Sequence, residues 1–136
     1  MAICKNRIIN VSCAEVDRVI KELKDENFYI VELDGDKIRD ERDFVLEMKE
    51  KFRISVDFPK PVVGWLNDYI CDLSWIQEEK IAIIIRNFDM FIKEDGKKRY
   101  DIMLDFAEII LPWWETDVEN CMVGGKPRIF KVYLEV

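Results

Sequence analysis

The chain is 136 residues long and nearly half apolar, and its 28 acidic side chains outnumber its 21 basic ones, for a formal charge of −7. This length can bury one sizeable core, and the apolar content excludes a disordered chain. The negative charge argues against nucleic acid or an anionic membrane as the direct ligand, and it suits a basic protein partner.

The residue types present also limit the chemistry. The chain has no histidine, which removes the commonest general base and the commonest metal ligand. Its four cysteines, Cys4, Cys13, Cys71 and Cys121, form no Cys-x-x-Cys pair, so neither a zinc site nor a redox dithiol is indicated. We therefore expect no metal, no cofactor and no enzymatic activity.

No segment has the length and apolar character of a membrane span, and the first residues lack the apolar stretch of a secretory signal. No repeat or Pro/Gly/Ser-rich linker interrupts the chain. These features predict a cytoplasmic protein, a single domain over residues 1–136, and a monomer when free.

The pattern in the first third of the chain predicts a strand, a helix and a second strand. Residues 3–11 are a candidate edge strand, and Ser12 with Glu15 matches a capping box. The apolar spacing that follows predicts a helix over residues 13–25. Phe28–Leu33 is rich in β-formers and predicts a strand that stops at the turn Asp34–Gly35.

Later elements follow the same alternation. Asp40 is placed to cap a second helix, and Pro61 is placed to begin a third helix that runs to about Ser74. The continuous apolar run 80–86 predicts a central strand covered on both faces. Helical spacing from Tyr100 to Leu111 predicts a helix that Pro112 ends or kinks.

Strands at 28–33, 80–86 and 128–135, separated by helices, predict an α/β fold. Its parallel sheet has three strands, or four if residues 3–11 pair, and is packed with helices.

The third helix carries the most informative pattern. At about 100° per residue, one side can face a core: Val62, Val63, Leu66, Tyr69, Ile70 and Leu73. The other side carries Gly64, Trp65, Asp68, Cys71, Asp72 and Trp75. Two carboxylates at i and i+4 repel by a few tenths of a kcal/mol, and two exposed indoles are unusual on a monomer. A cationic partner would resolve both features; the alternatives are a solvated face for the aspartates and core packing for the indoles.

This order of elements, with the helix end Asp72-Leu73-Ser74-Trp75, resembles the barstar family of intracellular ribonuclease inhibitors over about residues 28–136. Residues 1–27 would then be an added strand and helix. The family's inhibitory helix has a pattern close to Gly-x-Asn-Trp-Asp-Ala-Leu-x-Asp-Cys-Leu-x-Asp-Leu-Ser-Trp, and Gly64-Trp65 and Leu66–Trp75 match its two ends.

The resemblance implies particular roles for residues of this helix. Asp68 falls on the family carboxylate that occupies the place of a substrate phosphate in the ribonuclease active site. Asn67 stands where the family usually has an aromatic contact residue, and Trp75 matches the end of the pattern. The first family aspartate is absent, either because one helical turn is missing or because Gly64 occupies its position.

The resemblance therefore implies an intracellular antitoxin or immunity protein that blocks the cationic active site of a ribonuclease with an acidic helix. The candidate partner-binding residues are Asp68, Asp72, Asn67, Trp65 and Trp75. The expected partner is a basic protein toxin, a secreted or contact-delivered nuclease. The alternative is an immunity protein that neutralises a non-ribonuclease toxin through the same or another surface.

An enzyme using Asp68 and Asp72 as an acid–base pair is disfavoured, because we expect both on an exposed convex helix and not in a cleft. Two remaining motifs have structural explanations. Gly124-Gly125-Lys126 is followed by Pro127, so it predicts a flexible turn and not a phosphate loop. Trp113-Trp114 is expected to cap the core.

Overall fold

The centre of the fold is a four-stranded, all-parallel sheet. The computed structural model describes residues 6–136. Its strands are β1 Arg7–Val11, β2 Tyr29–Asp34, β3 Lys80–Arg86 and β4 Ile129–Glu135, in the order β1-β4-β3-β2. This confirms the predicted α/β class. The candidate strand at 3–11 is present as β1, paired with β4; residues 3–5 lie outside the described part of the chain.

The helices lie on both faces of the sheet. They are α1 Val16–Asp25, α2 Glu41–Lys51, α3 Val63–Ile70, α4 Gly96–Asp105 and α5 Val118–Cys121. Within residues 6–136, none of them has the length and apolar character that crossing a bilayer would require.

Alternation along the central strands divides the core into two clusters. In β3, Ile81, Ile83 and Ile85 pack with α2, α3 and the chain after α4, whereas Ala82 and Ile84 pack with α1. All five side chains are buried, as the continuous apolar run predicts. The sheet is therefore covered on both sides, with α1 and α3 on opposite faces.

Arg86, at the carboxyl end of β3, ties α1 to the sheet. Its guanidinium lies 2.7 Å from Asp17 of α1, 3.0 Å from Glu32 of β2 and 3.7 Å from Glu135 of β4. The hydrogen bond that Arg86 donates to the Asp17 carboxylate is the main reason that the pKa of Arg86 is raised. These partly exposed ion pairs contribute less than the apolar contacts of α1.

The predicted start of α1 at residue 13 was wrong. The helix begins at Val16, because the hydroxyl and the N–H of Ser12 both donate to the Glu15 carboxylate, at 2.8 and 3.1 Å. Among the described residues no side chain caps the first helical turn, and residues 13–15 form a turn that precedes the helix.

Pro112 does not end the helix that contains Tyr100. Helical backbone continues from α4 to α5 through two π-helical segments, Phe106–Ile110 and Trp113–Asp117, which flank the proline. Proline has no N–H to donate to the preceding turn and its ring crowds that turn, and π-helical widening is a common accommodation of such a defect. The helical path thereby carries Trp113 and Trp114 past the proline.

Removing residues 1–27 should abolish cooperative folding. The fragment 28–136 would lose the burial of Val16, Ile20 and Leu23, each worth about 1.5–3 kcal/mol, and would expose the sheet residues beneath them. The summed contribution of these three side chains is comparable with the total free energy of unfolding of a typical domain. Thermal unfolding followed by circular dichroism should show a sharp transition for the full chain only. A fragment that melts like the full chain would show that residues 1–27 are dispensable.

In the full chain, Ile20→Ala should lower the free energy of unfolding by about 2–4 kcal/mol.

Candidate functional site

Helix α3 begins two residues later than predicted. Pro61 precedes the helix, and Val62 is its extended N-cap residue with φ −117° and ψ 148°. The N–H of Val63 donates to the carboxylate of Glu41, at 3.0 Å, from the first turn of α2. An acceptor from a neighbouring helix thus replaces the side-chain cap that the α3 sequence lacks.

The predicted end of this helix at Ser74 was also wrong. α3 ends at Ile70, and Leu73 has a φ of +46°, in the left-handed region that few L-residues adopt. Its side chain is fully buried in the core, so packing holds a backbone conformation that would otherwise be unfavourable. Asp68 therefore lies on the helix, whereas Asp72 and Trp75 lie beyond it.

Two side chains from distant parts of the sequence hold the end of α3 and the following loop, residues 71–79. The indole Nε1–H of Trp114 donates to the carbonyl oxygen of Ile70 at 2.9 Å. Arg128 donates from Nη2 to the carbonyl oxygen of Leu73 at 2.9 Å and from Nη1 to that of Glu78 at 3.1 Å. Its guanidinium lies over the Trp114 ring, 4.8 Å from the centroid. These contacts fix the backbone on both sides of Asp72.

Arg128 is partly desolvated in this position. Burial lowers its pKa from the ordinary value, while the charges of Glu78, Asp72 and Glu79 act in the opposite direction. An arginine remains protonated through such a shift. None of the three carboxylates forms an ion pair with it within 4 Å among residues 6–136, because its guanidinium is directed at backbone carbonyls.

Asp68 and Asp72 line a groove of about 840 Å³, together with the 71–79 loop, the two tryptophans and the loop Met122–Arg128. Both aspartates are exposed. Within the described residues, neither carboxylate has a cation within 4 Å or a hydrogen-bond donor. The expectation of a convex helix without a cleft was therefore wrong: α3 forms one wall of a groove.

The other candidate residues do not join the aspartates. Asn67 donates through Nδ2 to Asp105 of α4 at 3.0 Å. Trp75 is partly buried against the core and donates through Nε1 to the carbonyl oxygen of Phe52 at 2.7 Å. Trp65 is 46% exposed and does not line the groove. The structure brings together only Asp68 and Asp72 of the predicted set.

Reasoning from the sequence missed several residues of the groove. Glu78 and Glu79 add two carboxylates, and Trp114 and Arg128 hold the backbone. The Trp113-Trp114 pair was expected only to cap the core, and Trp114 is indeed buried. The partners of Arg128 are main-chain carbonyls about 50 residues away in sequence, and carbonyls leave no signal in a residue pattern.

Cys71 also lines the groove. Burial, and then the charge of Asp68, raise the pKa of its thiol to about 11. The thiol is protonated near neutral pH and is a poor nucleophile in that state. Among residues 6–136, no group of three or more Cys, Asp or Glu side chains is arranged to hold a metal ion. What the groove presents is exposed carboxylate oxygens on a backbone that Trp114 and Arg128 hold.

Replacing Arg128 should destabilise the fold through the 71–79 loop. Arg128→Met keeps an unbranched side chain over Trp114. It leaves the Glu78 carbonyl without a donor among the described residues and the Leu73 carbonyl with the Ile76 N–H alone, so the free energy of unfolding should fall by about 1–3 kcal/mol. Urea denaturation measures this change. Arg99→Met is a matched control, because Arg99 also lies over a ring, that of Phe88, but makes only a 3.5 Å hydrogen bond to the Asp89 carbonyl. Equal losses in the two variants would contradict the role of Arg128.

A comparison with protein families supplies the wider context of this arrangement. The family model described as Barstar (barnase inhibitor) matches residues 28–124. The match contains α2, α3 and most of the groove, whereas β1 and α1 precede it and β4 follows it; the division into a 28–136 core and a 1–27 addition stays a prediction. Neither the search of curated proteins nor that of solved structures finds a match. With most of its length matched, the chain belongs to the barstar family.

Proposed function

We propose that the protein is an intracellular inhibitor, an antitoxin or immunity protein, that binds the cationic active site of a ribonuclease through Asp68 and Asp72. The observation that carries the proposal is that both carboxylates are exposed at one groove, without a cation within 4 Å in the described chain. The family, whose model is described by its inhibition of barnase, points to the same kind of partner.

The physical reason is the chemistry of the proposed target. A ribonuclease has to present cationic groups and hydrogen-bond donors that stabilise a phosphate transition state. Carboxylates on a fixed backbone can satisfy those donors without offering a bond to cleave. The contacts of Trp114 and Arg128 with α3 and its loop supply that fixation. The −7 charge of the chain should speed encounter with a basic toxin at low salt.

The remaining candidates take different parts in this proposal. Trp65 is exposed on α3 and is proposed as a peripheral contact. Asn67 and Trp75 are proposed to contact the partner only at the edge of the surface, since their polar groups already bond to Asp105 and Phe52. The partner is a secreted or contact-delivered nuclease, and the inhibitor acts in the cytoplasm of the cell it protects.

The alternative is an immunity protein against a toxin that is not a ribonuclease. Gly64 favours it, because in an ungapped comparison this glycine occupies the position of the first aspartate of the family pattern. One acidic contact would then be absent from the surface, which suits a target with a different arrangement of cations.

Neutralising the acidic pair should release the partner. Asp68→Asn and Asp72→Asn each preserve shape, and each should weaken binding by about 2–5 kcal/mol because a partner cation is left unpaired. The measurement is capture of basic proteins at low salt, followed by RNA-cleavage assays of the captured protein and of purified barnase, with and without each inhibitor variant.

Asp25→Asn is the matched control, because Asp25 is exposed on α1 at the other face of the sheet. It should bind and inhibit like the unmodified chain. Equal capture by all variants would contradict the proposed surface, and a captured protein that is lost with Asp68→Asn but cleaves no RNA would favour the alternative.

Introducing a carboxylate at position 64 tests whether Gly64 stands in place of the first aspartate of the family pattern. Gly64 is helical with a negative φ, and a Cβ atom there would meet nothing within 4 Å. Gly64→Ala should raise the free energy of unfolding by about 0.4–1 kcal/mol through the unfolded state. Gly64→Asp should be similarly stable and should inhibit barnase more tightly than Gly64→Ala does. Equal inhibition constants for the two variants would show that Gly64 does not replace a contact aspartate.

A further inference from the structure

The groove beside α3 has a second wall, the loop Met122–Arg128, that the acidic pair alone does not explain. Met122 is 55% exposed and Val123 is fully exposed. These two apolar side chains face water at the margin of a groove that also contains Trp113. Exposed apolar side chains beside a concave surface are typical of a contact surface.

This loop is held in place at both ends. Gly125 lies so close to the carbonyl of Val118 that a Cβ atom could not be accommodated, and its N–H donates to the Met122 carbonyl at 3.0 Å. Gly124 adopts a φ of +73°, which glycine tolerates without strain. At the far end, the N–H of Arg128 donates to the Trp114 carbonyl at 2.9 Å. The predicted turn is present, and these contacts connect it to α5 and to Trp114.

The charges in the groove are unbalanced. Four carboxylates, Asp68, Asp72, Glu78 and Glu79, line it with only two cations, Lys126 and Arg128. Arg128 donates its hydrogen bonds to the carbonyl oxygens of Leu73 and Glu78. In the described chain none of the four carboxylates has an ion-pair partner within 4 Å. Charge complementarity therefore favours a cationic occupant.

Trp113, which lines the groove, carries a donor without an acceptor in the described chain. The indole Nε1 of Trp113 is buried and has no hydrogen-bond partner among residues 6–136. Most buried polar groups in native proteins are paired. The groove therefore combines negative charge with exposed apolar side chains, and the unpaired indole N–H lies buried in one of its lining residues.

We infer that the wall of this groove opposite α3, together with Glu78 and Glu79, is a second contact surface, which takes a basic segment of the partner protein in which Lys or Arg alternates with apolar residues. The cationic side chains lie against Glu78 and Glu79, and the apolar ones against Met122 and Val123. The inference rests on the proposed function for the identity of the partner, and it extends the interface from α3 to the opposite wall.

A short peptide of alternating Arg and Leu tests the groove without the partner. In the full ¹⁵N-labelled chain, it should give saturable NMR shifts at the amides of Gly124 and Gly125 and at the Trp113 indole. A peptide of alternating Glu and Leu should give none. Salt should weaken the binding.

Two variants test whether the peptide binds in the groove. Glu79→Gln should weaken its binding by about 1.5–5-fold, as expected for one exposed ion pair. Val123→Arg should weaken it further, because it adds a cation and removes apolar contact. Both side chains are exposed, so the fold should be retained. Glu50→Gln, an exposed change on α2, is the control and should have no effect.

The outcomes separate this inference from the proposed function. No saturable shift, equal shifts with the Glu peptide, or binding unaffected by both variants would overturn the groove inference, even if Asp68→Asn and Asp72→Asn abolish ribonuclease inhibition. Peptide binding with the expected variant effects would support it, even if no ribonuclease is captured and the proposed function fails.

Discussion

The carbonyl groups at the end of α3 impose the constraint on which the candidate site depends. A helix that ends inside a protein leaves carbonyl oxygens that need donors. Here the indole N–H of Trp114 donates to the carbonyl oxygen of Ile70. The guanidinium of Arg128 donates to the carbonyl oxygens of Leu73 and, farther along the loop, Glu78. Because these donors come from the chain after α4, the position of Asp72 depends on packing across the whole face of the sheet.

The same contacts explain why the acidic side chains are available to a partner. The charges of Glu78, Asp72 and Glu79 act on the Arg128 guanidinium, but its hydrogen bonds go to the backbone. The fold thus holds an arginine close to three carboxylates without neutralising them through ion pairs. Unfavourable groupings of like charge are common where a protein keeps a surface for binding. A partner that supplies cations could form the ion pairs that these carboxylates lack in the free chain.

The sequence predicts the sheet closely and the site less closely, for a physical reason. The strand at 80–86 is a continuous apolar run, a local signal, and its bounds were correct. The end of α3 is determined by Leu73 in a left-handed conformation and by donors from far along the chain, which no local pattern contains. Asp68 and Asp72 were predicted as partner-binding residues through helical spacing and family resemblance. The groove they line was not, because its opposite wall is a loop after α5.

Hydrogen exchange of the chain in complex with a ribonuclease tests the central claim most directly, since it reports which backbone segments the partner covers. Slowed exchange on binding should be concentrated in residues 64–79, in α3 and the loop that follows, while α1 exchanges as in the free chain. Protection confined to α1 or β1, with residues 64–79 unchanged, would contradict the claim.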